Sequence, residues 1–146
     1  MNKTPAIVSG TLFFWAGFVC SISFMEAWLK FQAPGVTLPI GLGIGKLIFT
    51  ALNRMEWIFL ALLGAATIPR FKNLSGIFRY LVAAILLILV LQTFVLLPEL
   101  NQRAEMIISG KMPEKSNAHL LFGIAEVLKV IFLIYLGFYT STHRNR

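Results

Sequence analysis

Trp57-Ile-Phe-Leu-Ala-Leu-Leu-Gly-Ala-Ala-Thr-Ile-Pro69 and Val130-Ile-Phe-Leu-Ile-Tyr-Leu-Gly-Phe-Tyr-Thr-Ser-Thr142 each run thirteen residues without a charge. At about 1.5 Å per helical residue such a run spans ~20 Å, short of a hydrocarbon core of ~30 Å. To cross a bilayer each must borrow roughly seven residues from one side. The C-terminal extensions, Arg70-Phe-Lys72 and His143-Arg-Asn-Arg146, end naturally at an interface. The N-terminal ones draw Asn53, Arg54 and Glu56 into one span and Glu126 and Lys129 into the other. Ionisable groups inside a span are costly, tend to face the bundle interior, and mark a functional site by default.

Outward from these runs, the rest of the chain reads the same way. Of the 146 residues 58% are hydrophobic and 13% charged, about half the charged share of a soluble domain. Mean hydropathy is +0.79. Four spans are predicted, at roughly 5–30, 47–68, 77–97 and 119–140, forming one integral membrane domain over 1–146. The fold class is therefore an all-α four-helix membrane bundle. The net charge of +7 arises from Lys and Arg scattered or placed at span ends. No basic stripe of the nucleic-acid-binding kind is present, and nucleic acid is excluded as a partner. The partner implied is the lipid bilayer, with other membrane subunits or a second copy left open.

The run from Thr4 to Met25 is uncharged, too long for a signal-peptide core, and lacks a small-x-small cleavage site, so the first helix is expected to be retained. Cys20 stands alone and reads as a small buried hydrophobe. Gly10, Gly17 and Ser21 fall near one face of span one and are expected to admit a neighbouring helix. Residues 31–45 carry no charge, and Val36, Leu38, Ile40, Leu42 and Ile44 alternate with Thr37, Pro39, Gly41, Gly43 and Gly45. That period of two predicts an apolar, mostly non-helical loop folded over the polar end of the bundle. Gly41-Leu-Gly-Ile-Gly-Lys46 fails as a phosphate loop, having Ile40 and Leu47 where Gly and Ser or Thr are needed. Pro98 is expected to end span three, with a short amphipathic surface helix over 99–109 turning Leu100, Ala104, Met106 and Ile107 to lipid.

Four spans put both termini on one side. That side carries Lys3, Arg70, Lys72, Arg79, Arg144 and Arg146, six basic residues against five on the other, and none of the acids near loops. The expected orientation is termini cytoplasmic, in a bacterial-type inner membrane.

Spans two and four then run parallel, with their charges at matched depth. Pairs such as Glu56 with Lys129 and Arg54 with Glu126 are expected. Glu26, Asn53, Gln92 and His119 lie in the same half of the membrane. These eight residues form the candidate intramembrane polar cluster, read either as helix-registering glue or as a pocket for a lipid or small hydrophobic ligand. No metal set or cofactor is singled out: His119 and Glu126 lie seven apart, which is no metal-ligand spacing. The chain has no Asp, which removes a Ser-His-Asp triad.

Gly10-Thr-Leu-Phe-Phe-Trp-Ala-Gly17, the Pro98-Glu-Leu-Asn101-Gln-Arg103 element and a His-led fourth span resemble small four-helix membrane proteins of unknown function, the DUF1772/anthrone-oxygenase-like and DUF4149/TMEM205-like groups. The resemblance covers the whole length as a layout and implies the four-helix fold. The first functional reading is a non-catalytic or accessory membrane subunit that binds a lipid or small hydrophobic ligand. The alternative is a membrane-embedded, oxidoreductase-like enzyme acting on a hydrophobic substrate through Glu56 or Glu126. A proton-coupled exporter ranks last, because span one is charge-free until Glu26.

Overall fold

The computed structural model describes residues 4–69 and 74–142. The basic stretch at 70–73 and the tail at 143–146, like residues 1–3, lie outside them. Among the described residues four helices make the architecture: α1 Thr4–Gln32, α2 Leu38–Thr67, α3 Gly76–Ile108 and α4 Ala118–Thr142. Between 22% and 39% of each helix's most apolar stretch is buried inside the bundle. The remainder presents side chains such as Leu47, Tyr80 and Phe94, each at least 70% exposed. Surfaces this apolar require lipid around them, so the protein is an integral, multi-pass membrane protein.

Helix α1 packs most extensively on α4 and next on α2. Trp15, Leu12, Val19, Leu52, Leu63, Ile85, Leu133 and Leu136 form the buried core. Phe59 of α2 gathers the rings of Phe14 and Phe18 at 5.6 Å and of Trp15 at 5.9 Å. The small-residue face expected on α1 points outward instead: Gly10 and Gly17 have nothing near them, and Ser21 bonds back to its own helix at the Gly17 carbonyl. Bulk fills that interface, and the close approach is made by Gly137 of α4, where a Cβ would lie 2.8 Å from the Phe13 ring. Phe13 in turn meets Phe138 edge-on at 5.0 Å.

Two predicted boundaries are corrected. The apolar connection between α1 and α2 is real but short. Pro34 and Gly35 (φ +82) make a tight turn closed by Val36 N–H donating to the Ala33 carbonyl at 3.2 Å. From Leu38 the chain is helical, with Pro39 in the first turn, where a missing N–H is harmless. The glycines that suggested period two also satisfy i, i+4. At Gly41 a Cβ would lie 2.0 Å from the Phe31 ring, and at Gly45 3.0 Å from Lys30 Nζ. They are a helical notch against the end of α1.

Pro98 does not end α3 either. The five residues before Leu97, Gln92–Leu96, are π-helical. There the Leu97 N–H donates to the Gln92 carbonyl, five residues back, and the helix continues through Pro98. Its last turns pack on the N-terminal half of α2, burying Ala104 and half-burying Leu100, Met106 and Ile107, rather than lying on lipid. Lys46 and Glu105 form an ion pair across that contact. A C-cap with Gly110 (φ +77) stops α3, Lys111 N–H donating to Met106 and Gly110 N–H to Ile107.

Candidate functional site

Helix geometry sets which charges can meet. Glu126 and Lys129 are three apart and share a face of α4; both are fully buried. Lys129 Nζ lies 2.9 Å from Glu126 Oε1 and 2.5 Å from Glu56 Oε1 on α2. It also donates to Gln92 Oε1 at 2.6 Å, while Gln92 Nε2 donates to Glu126 Oε1 at 2.5 Å. Trp15 Nε1 donates to Glu56 Oε1 at 3.0 Å, and Ser23 Oγ to Glu126 Oε2 at 2.9 Å. Each of the four helices contributes. Two carboxylates share one ammonium, a formal charge of −1, with neutral donors supplying the balance of the hydrogen bonds. Leaving such groups unpaired at this depth is expensive, which is why the network is so closely satisfied.

Irregular helix positions two of the participants. Ser23 sits in the π-helical stretch Cys20–Glu26 of α1, and Gln92 opens the one in α3. Single π segments re-aim side chains and recur at functional sites. A second polar set lies alongside. Thr93 Oγ1 accepts from Asn53 Nδ2 and Trp57 Nε1, both at 3.0 Å, and donates to the Leu89 carbonyl at 2.7 Å.

The eight candidates therefore divide. Glu56, Gln92, Glu126 and Lys129 form one network, and Asn53 joins its neighbour through Thr93. The Arg54–Glu126 pair does not form: Arg54 is exposed. Two residues along a helix is about 200° of rotation at 3.6 residues per turn, so Arg54 and Glu56 cannot share a face. Glu26 pairs with Lys30 at 3.2 Å, one turn away on its own helix, and its Oε1 is buried without a hydrogen bond. His119 is exposed at the start of α4. Trp15, Ser23, Trp57 and Thr93 escaped the sequence reading. The buried three-four series Val8, Leu12, Trp15, Val19 points on to Ser23 and was the signal available for two of them.

Next to the network opens a cavity of about 540 Å³. The end of α1 contributes Ser23, Trp28, Lys30 and Phe31, and the glycine notch of α2 contributes Gly41, Gly45 and Phe49. The tail of α3 adds Leu97, Asn101 and Ala104, and the start of α4 adds His119 and Phe122. Ser23 is shared, lining the cavity while bonded to Glu126. Neither Glu56 nor Glu126 lines it. Among the described residues, Asn101 and His119 make no side-chain hydrogen bond, and no group of three His, Cys, Asp or Glu is placed to hold a metal. No family model matches this chain, and no curated protein or solved structure is similar enough to match it.

Proposed function

We propose that this protein is a non-catalytic or accessory membrane subunit that binds a lipid or small hydrophobic ligand in the cavity between its four helices. The observation that carries the reading is the cavity itself. At 540 Å³ it falls within the ~300–1,000 Å³ of ordinary ligand sites, apolar with a few polar groups at its wall. It lies at the polar end of the bundle, where α2 and α3 extend beyond the length a bilayer needs. The charged network beside it fixes the register of the helices that form the walls, and Ser23 ties the two together. The alternative, an enzyme using Glu56 or Glu126, is weakened because both carboxylates are engaged by Lys129, Gln92, Trp15 and Ser23 and stand back from the cavity. On this reading the termini are cytoplasmic, and any further subunit would meet the outward faces of the helices.

The test is native mass spectrometry of protein released gently from its own membranes. A bound species of a few hundred daltons is expected on the parent and not on Ala104→Phe, which fills the cavity without touching the buried charges. Bare parent protein, or a bound mass that persists in the filled variant, contradicts the proposal.

A further inference from the structure

The cavity's charge indicates what it would take. Resting on the ligand-binding reading above, we infer that the occupant is a single-chain anionic amphiphile, its acid group held by Lys30 and its chain laid along the aromatic wall. Two cations, Lys30 and Lys46, line the cavity, whereas the acids paired with them, Glu26 and Glu105, do not. Lys46 is engaged by Glu105 at the surface. Lys30 is also paired, with Glu26, but its side chain is only 9% exposed against 34% for Lys46. Its ammonium is lodged where Gly45 lacks a side chain, with a Cβ there falling 3.0 Å from Nζ. The rings of Phe31 and Phe49 stand 5.5 Å from the same nitrogen.

Of the three N–H donors that an ammonium carries, one is used, toward Glu26 Oε2 at 3.2 Å. Two remain for an acceptor arriving in the cavity. Asn101 and His119 stand at the same cavity as hydrogen-bonding groups without partners among the described residues. A lysine kept out of water, against a glycine and two rings, at the wall of an apolar chamber, is a site for an anion that arrives with its own apolar body. Phe24 and Trp28 line the cavity while exposed at the outer surface, 38% and 57% respectively, so a chain can enter sideways from the bilayer. The volume suits one chain and an acid group, not a two-chain phospholipid.

The experiment uses the full chain in phosphatidylcholine nanodiscs and radiolabelled oleate, with oleyl alcohol and oleoyl-lysophosphatidylcholine as competitors. Oleate is expected to bind one per protein and at least tenfold more tightly than the uncharged alcohol of the same length. Lys30→Met should abolish that preference; Lys30→Arg, which keeps the charge, should retain most of it. Equal competition by the alcohol, with Lys30→Met unchanged from the parent, overturns the anionic assignment. In that event the cavity reading stands if Ala104→Phe blocks both ligands. Tighter binding of the lysophospholipid than of oleate also overturns it, in favour of a zwitterionic head. Absence of any saturable binding removes both the assignment and the ligand-binding reading beneath it.

Discussion

Replacing Lys129 with Met should be the most damaging single change in the bundle's interior. The ammonium is fully buried and lies 2.5 Å from Glu56 and 2.9 Å from Glu126. Met fills much of the same space, so the variant isolates charge from volume. It leaves two buried carboxylates with Trp15, Gln92 and Ser23 as donors but no cation. Removing one partner of a buried pair costs about 3–5 kcal/mol, whereas removing all the charges together is often close to neutral. Glu126→Gln should lose less than Lys129→Met, because a neutral Glu56–Lys129 pair survives. The triple change Glu56→Gln, Glu126→Gln, Lys129→Met should recover most of the loss. The assay is reversible unfolding in mixed micelles titrated with dodecyl sulfate, followed by circular dichroism. The reasoning fails if Lys129→Met stays within about 1 kcal/mol of the parent, or if the triple variant loses the sum of the three singles, since contacting groups must couple.

Three further outcomes are expected. Thr93→Val removes the shared partner of Asn53 and Trp57, and should lose about 1–2 kcal/mol in the same assay, below Lys129→Met, because interhelical hydrogen bonds in membranes average ~0.6 and reach ~1.7 kcal/mol. Gly137→Val forces a methyl group onto the Phe13 ring and should lose about 1–3 kcal/mol, with Phe13→Ala in the same chain restoring part of it; two additive losses would contradict that contact. In a Cys20→Ala background, Ile68→Cys and Met112→Cys, both highly exposed, should react with an impermeant thiol reagent from opposite sides of the membrane; labelling from one side would mean that α3 does not cross.

Much of the fold was legible because lipid imposes length. Four runs with too little charge for water, two of them too short to cross unaided, fix both the number of spans and the depth of Glu56, Glu126 and Lys129. Depth says nothing of rotation, so matched depth alone pairs Arg54 with Glu126 although Arg54 faces outward. Glycine carries no direction of its own, so Gly41 and Gly45 fit an extended reading as well as a helical notch, and only the Phe31 and Lys30 side chains decide between them. Pro98 stops a regular helix, but a π-helical turn ahead of it is a tertiary matter with no sequence mark. Thr93 carries no such mark, because an uncharged hydroxyl in a span usually bonds its own helix, as Ser21 and Thr67 do; for Ser23 the only pointer is its place on the buried face of α1.

The most direct measurement is a side-chain-resolution electron cryomicroscopy map of the protein in nanodiscs made from its native membrane lipids. The account predicts elongated non-protein density in the cavity between Lys30 and Phe122, ending within hydrogen-bond reach of the Lys30 ammonium. A cavity closed by inward movement of Phe31, Phe49 and Leu100, with no density inside, would contradict it.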